Sequence, residues 1–253
     1  DLLRRVLSVP DARTVVLGHT RWASVGIISE PNAHPVNGEE VAGGNDSVSV
    51  AVLNGDVDNH ADLKVRHNLR FADPITTDAK VIPALVDRGR LGGASSLDAF
   101  LNAVTQFEGS VAIGYCSADE PGEMYLALNG SGQGLYVGLA EDRFIVASET
   151  YGTVEETLQY IRLDGETPLH KDQPSSRGQV VRLSQAGAGT LDGISMYAYD
   201  GTPIPLSAAD VHIAEVTTRD IDRGDAPHFL LKEIREAPRS FRKTIRGRTV
   251  ENN

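Results

Sequence analysis

Four short stretches carry side chains that could do chemistry. The first is Gly18-His19-Thr20-Arg21-Trp22-Ala23-Ser24, a polar loop after a β-rich run, which holds the only tryptophan. A guanidinium such as that of Arg21 can grip a carboxylate through two parallel hydrogen bonds, though a strand-end arginine also fits a surface salt bridge. The second is Asn32-Ala33-His34-Pro35, in which His34 is either a ligand contact or a loop histidine. The third is Leu53-Asn54-Gly55-Asp56-Val57-Asp58-Asn59-His60. Asn-Gly after an apolar strand reads as a turn. It can also be an oxyanion hole, with the Asn54 amide and the Gly55 N–H facing a developing negative charge. The fourth is Thr76-Thr77-Asp78-Ala79-Lys80, where the Asp78 carboxylate could bind an ammonium group or cap a helix.

These stretches need a scaffold, and the first 200 residues read mostly as short strands. Arg13–His19 and Ser47–Leu53 are β-rich, the second ending at Asn54-Gly55. Gly109–Cys116, Met124–Leu128, Gly134–Gly138, Arg143–Ala147 and Gln179–Leu183 follow, each bounded by Gly, Asp or Asn. A spacing of roughly ten residues suggests stacked antiparallel sheets. Helical spacing appears in Asp78–Val86, interrupted by Pro83, and in Ser96–Phe107, which opens on a capping serine. From Phe229 to Ile245 a stripe of Leu230, Ile234, Ala237, Phe241 and Ile245 predicts a helix kinked or divided at Pro238. Strands and helices mixed in this way point to α+β layers.

Composition bounds the answer. The chain has 253 residues, 40% of them hydrophobic and 23% charged, which is the make-up of a globular protein of one or two domains. No apolar run approaches the roughly 20 residues of a membrane span, and Asp1-Leu2-Leu3-Arg4-Arg5 does not read as a signal peptide. A single cysteine, Cys116, allows no intrachain disulfide, and a cytoplasmic home is the simplest reading. A net charge of −11 argues against a general nucleic-acid binder. The charge is uneven: residues 1–227 hold 17 basic and 32 acidic side chains, whereas residues 228–253 hold 7 and 3. That break marks either a linker and the start of another module or a basic surface helix of the same domain.

The order Arg21-Trp22, Asn54-Gly55 with Asn59 four residues on, then Thr77-Asp78 resembles the class II glutamine amidotransferases. Within them it is most similar to the isomerising glutamine–fructose-6-phosphate aminotransferases. Their glutaminase domain has a His-Thr-Arg-Trp-Ala-Thr loop, an Asn-Ala-His-Pro segment, an Asn-Gly-x-x-x-Asn turn and a Thr-Asp before a helix. Phe107-Glu108-Gly109-Ser110 and Ile145-Val146-Ala147-Ser148-Glu149 extend the match. So does the tail from Asp222 to Pro238, which resembles the segment that leads into the sugar-phosphate isomerase domains. The resemblance runs from about residue 14 to 248 and is poor over 184–215.

It implies a four-layer αββα sandwich of the N-terminal-nucleophile type, with residues 1–215 as the glutaminase domain and 216–253 as linker and start of the isomerase region. It implies that Arg21 holds the glutamine α-carboxylate and Asp78 the ammonium. Asn54 and Gly55 would form the oxyanion hole, and Trp22 and Ser24 would belong to the loop that closes over glutamine. The parent enzyme, a homo-oligomer, would move the glutamine amide nitrogen to fructose 6-phosphate, giving glucosamine 6-phosphate and glutamate in amino sugar biosynthesis, with neither metal nor cofactor. In the family an N-terminal cysteine is the nucleophile and its own amine the base. The chain begins at Asp1, so the nucleophile, the first strands and the isomerase domains are expected to lie outside it and the chain alone to be inactive. Cys116 sits within a strand and reads as a small core residue. Val25 stands where the family commonly has His. The other reading is a non-catalytic amino-acid-binding or regulatory module derived from the domain.

Overall fold

Ser49–Gly55 (β2), Val111–Ser117 (β3), Glu123–Asn129 (β4) and Gln179–Ser184 (β8) pair antiparallel as the centre of one sheet. Successive side chains of a strand point to opposite faces, and here both faces are apolar. Ala51, Leu53, Val111, Ile113, Tyr115, Tyr125, Ala127 and Val180 face one core. Ala112, Leu126, Leu128, Val181 and Leu183 face another. That is why these strands read as near-continuous hydrophobic runs. Val36–Asn37 (β1), Ile194–Ala198 (β9) and Pro203–Ile204 (β10) complete seven strands in the order β1-β2-β3-β4-β8-β9-β10.

The first face is covered by three helices, His60–Arg66 (α1), Val81–Leu91 (α2) and Ser96–Val104 (α3). Phe100 of α3 packs between Tyr115 and Tyr125, with ring centroids 5.6 and 5.8 Å away. The cap of α3 is Ser95, whose side chain accepts the Asp98 N–H, one residue earlier than the sequence predicts. Pro83 lies in the first turn of α2, where its missing N–H costs no helical bond. The second face is covered by a four-stranded antiparallel sheet in the order β11-β7-β5-β6. Its strands are Tyr136–Leu139 (β5), Phe144–Ala147 (β6), Gln159–Arg162 (β7) and His212–Ile213 (β11). Leu135, Val137, Ile161 and Leu163 close the inter-sheet core.

The computed structural model describes residues 4–5, 8–9, 14–21, 23–41, 48–215 and 222–245. The chain separates into two compact units, Asp1–Glu215 and Val216–Asn253. Among the described residues the first unit is thus an α+β sandwich of helices, large sheet and small sheet, the two-sheet architecture that the sequence leads one to expect. One local expectation fails, and one helix was not foreseen. Residues 14–19 join neither sheet, although Val15, Val16 and Leu17 are good strand formers, because a strand exists only where an edge accepts its ladder. Helix α1 has no sequence signal of its own, since Leu63 is its only buried residue. In the second unit Phe229–Ile245 (α4) is one helix with Pro238 inside it, not two.

Candidate functional site

Asn54 and Gly55 end β2, and the chain runs on against the segment that leads into β3. Gly55 has φ +107°, open to glycine, and a Cβ there would lie 2.0 Å from the Ser110 carbonyl oxygen. The Asp56 N–H donates to that oxygen at 3.0 Å and the Asp58 N–H to the Glu108 carbonyl at 2.9 Å. Asn59 pins the same segment with both ends of its amide, donating to the Gln106 carbonyl at 2.8 Å and accepting the Glu108 N–H at 3.1 Å. The Asn-Gly-x-x-x-Asn spacing therefore has a structural basis: the glycine allows the approach and the second asparagine locks it.

Asp78 opens a single 3₁₀ turn, Asp78–Lys80, ahead of α2. The N-cap residue is Thr77, whose side chain makes no capping bond, and the Asp78 carboxylate reaches the neighbouring segment. One carboxylate oxygen accepts the Val57 N–H at 2.8 Å, and the other lies 3.4 Å from the Thr77 hydroxyl, which donates to it. Burial raises the Asp78 pKa above the usual aspartate value, the neighbouring Asp56 adds to the rise, and the Val57 N–H opposes it. The backbone leading to Asp78 is shaped by Asn32, which is fully buried. Its carbonyl accepts the N–H groups of Thr76 and Thr77 at 2.7 and 2.9 Å, and its amide donates to Ser29 and Pro74. Sequence reasoning passed over Asn32; its place two residues before His34 was the available signal.

Arg21 turns its guanidinium onto the carbonyls of Val25 and Ile27, which ties it back to the segment 23–27. The Ser24 hydroxyl donates to the Asp56 carboxylate, and the Ile27 N–H to the Thr76 hydroxyl at 3.4 Å. The loop is thus tied to both segments described above. Beneath it His19 and His34 stack with centroids 4.9 Å apart. Burial, followed by the charges of His19 and Arg21, lowers the His34 pKa to about 4; burial and Arg21 lower that of His19. Both rings are neutral at physiological pH.

Arg21, Ser24, Asn54, Gly55 and Asp78 line one cleft of about 730 Å³, together with His19, His34 and Asp56. Residues up to 57 positions apart in sequence are brought together. Trp22 lies outside the described residues. The cleft runs on between the sheets past Val52, Leu126, Phe144 and Leu183. Asp142 and Arg143 also line it, and the part bounded by Arg21, Asp56, Asp78 and the Asn-Gly corner presents a guanidinium and two carboxylates, a set suited to a zwitterionic amino acid. Cys116 is not among its lining residues: it lies in β3 opposite Val50, partly buried, and burial raises its thiol pKa. No group of three or more metal-binding side chains occurs among the described residues. No described helix is long and apolar enough to cross a membrane.

In fold and in sequence the chain is similar to glutamine amidotransferases, whose glutamine-handling domain is a two-sheet sandwich with helices. No family model matches the chain. The chain's architecture is similar to that of a solved glutamine phosphoribosylpyrophosphate amidotransferase from B. subtilis, at a TM-score of 0.50 and 22% identity over 72% of this chain and 34% of that one. More particularly, the chain is homologous to the isomerising glutamine–fructose-6-phosphate aminotransferases. It is 31% identical to that of Streptococcus mutans over 254 aligned residues, 99% of this chain and 37% of the relative. The enzyme of Bacillus cereus matches equally well, at 31% over 253 residues. The chain thus spans little more than a third of the length of these relatives.

Proposed function

We propose that residues 1–215 are the glutamine-handling domain of an enzyme that transfers the amide nitrogen of glutamine to fructose 6-phosphate. In this reading residues 216–253 are the linker and the start of the sugar-phosphate region. Arg21 holds the α-carboxylate and Asp78 the α-ammonium. The Asn54 amide and the Gly55 N–H receive the oxyanion of the tetrahedral intermediate. Ser24 belongs, with Trp22, to the loop over the ligand. Cys116 is not the nucleophile, because its thiol is raised in pKa by burial and stands away from the cleft. The observation that carries the reading is the convergence of Arg21 and Asp78 with the Asn54–Gly55 corner in one cleft.

A second reading is a domain that binds an amino acid without hydrolysing it. It is favoured by the same position of Cys116. Calorimetry with glutamine and a coupled glutamate-release assay on the 253-residue chain separate the possibilities. Binding that is abolished in Arg21→Ala and Asp78→Ala supports the site. Robust release that disappears in Cys116→Ser overturns the exclusion of Cys116. Binding of no amino acid by the intact chain sinks the site assignment.

A further inference from the structure

The seam between the Asn54–Gly55 corner and the Asp78 segment is bridged by an imidazole. β1 pairs with β2 in the register Val36↔Ala51 and Asn37↔Val50. Continuing that register two residues places His34 opposite Leu53, but β1 begins only at Val36, after Pro35. The His34 side chain takes up the ladder's next donor, its Nδ1 accepting the Leu53 N–H at 3.4 Å. Its Nε2 lies 3.5 Å from the Thr77 hydroxyl oxygen. That hydroxyl in turn stands 3.4 Å from the Asp78 carboxylate.

We infer that His34 is a positioning residue of the glutamine site, which joins the strand ending in Asn54–Gly55 to the carboxylate of Asp78 through Thr77. The inference rests on the site assignment proposed above and adds to it the element that sets the distance between its two halves. The polarity of the chain is determined. Leu53 has a hydrogen to give, so Nδ1 must accept and the ring proton sits on Nε2. Nε2–H then donates to Thr77, and the Thr77 hydroxyl donates to Asp78. An imidazolium would set a donor against the Leu53 donor and break the first link. Three neighbours bear on the ring's charge: His19 stacked on it, Arg21 beyond, and Asp78 through Thr77.

With the Thr77 hydroxyl on one oxygen and the Val57 N–H on the other, the carboxylate plane of Asp78 is held at both ends. A charged group aimed in this way gains more from a ligand ammonium than one free to rotate. His34 thus acts on the ligand through Asp78, without touching it.

The experiment compares wild type, His34→Leu, His34→Gln and Thr77→Val in the full chain, with glutamine affinity by calorimetry and the Asp78 titration by carboxyl carbon NMR. Long-range nitrogen–proton NMR of the wild type should show His34 as the neutral Nε2–H tautomer at pH 7. Glutamine affinity should fall about tenfold or more in His34→Leu and in Thr77→Val. The Asp78 midpoint should rise in both. His34→Gln, whose amide can both accept and donate, should recover most of the loss. A purely structural role would lower thermal stability and leave affinity and midpoint unchanged in the folded variants, which overturns the inference, as does the Nδ1–H tautomer. If wild type binds no glutamine, the site assignment fails. The tautomer and the Asp78 midpoint then still decide whether His34 orients that carboxylate.

Discussion

Gly55 and Ser110 meet so closely that any side chain at position 55 would be driven into the Ser110 carbonyl oxygen, 2.0 Å from the ideal Cβ. The contact fixes where β2 stops and where the Gly55 N–H points. Gly109 makes the reciprocal approach, with a Cβ position 2.3 Å from the Asp56 carbonyl oxygen. Both glycines also have positive φ. Gly55→Ala is therefore expected to destabilise the domain by about 2–4 kcal/mol, from backbone strain and overlap together. It should abolish glutamine binding as well. Urea denaturation and calorimetry measure the two effects, and wild-type stability in Gly55→Ala would refute the packing argument.

Asp78 is held where its charge is unfavourable. Burial raises its folded pKa, so between the ordinary aspartate range and the raised value the folded protein holds more protons than the unfolded one. Stability therefore falls as pH rises through that window and stays lower above it. Asp78→Asn keeps an acceptor for the Val57 N–H and removes the buried charge. It is expected to be as stable as wild type at pH 7, or more so, while its glutamine affinity falls at least about tenfold. In wild type, affinity should fall on acidification already above the ordinary aspartate pKa, because the carboxylate protonates early. A marked loss of stability in Asp78→Asn would mean that the charge is compensated by a partner.

How much of this was legible in the sequence follows from which contacts are local. β2, β3, β4, β5, β6 and β8 were legible because each is a run of apolar residues between Gly, Asn or Asp. β1, β7, β9, β10 and β11 were not: β1, β10 and β11 are two residues each, too short for a pattern of their own, and are made by the strands they join, β2, β9 and β7. Residues 14–19 show the opposite error, strand-forming side chains without a ladder. In the site, Asn54, Gly55 and Asp78 stood out as Asn-Gly and Thr-Asp pairs. Asn32 and Asp56 did not. Asn32 acts on backbone groups more than 40 residues away, and Asp56 on Ser24 across 32, and such pairings leave no periodic trace.

His34 should report itself in acid. Its folded pKa is lowered to about 4, against an ordinary histidine value near 6.5. Between the two, the unfolded chain takes up a proton that the folded chain refuses. Stability is then lost as pH falls from about 6.5 to about 4 and this contribution levels off below. His19 adds in the same direction. Thermal melts of wild type and His34→Gln across that range should show a shallower decline in the variant. Parallel declines would show that the ring is free to protonate in the fold.

The loop over the cleft is closed by its own hydrogen bonds: Arg21 to Val25 and Ile27, Ser24 to Asp56, and Ile27 to Thr76. Gly26 lies against Thr76, where a Cβ would meet the Thr76 hydroxyl oxygen at 2.9 Å. Removing the Ser24 hydroxyl deletes one exposed hydrogen bond, so Ser24→Ala should change global stability by only about 1 kcal/mol or less. Local opening is another matter, because the bond ties the loop to a segment outside it, as the 3.4 Å Ile27–Thr76 bond also does. Limited trypsin digestion reads it at the bond after Arg21. Cleavage there is expected to be faster in Ser24→Ala than in wild type, and slower in both when glutamine is added. Arg21→Lys should weaken glutamine binding more than Ser24→Ala does, since an ammonium cannot serve two carbonyls and a bidentate carboxylate together. Cleavage at an unchanged rate in Ser24→Ala would show that the loop is held shut without the Asp56 contact, and glutamine that failed to slow it would separate the loop from the ligand site.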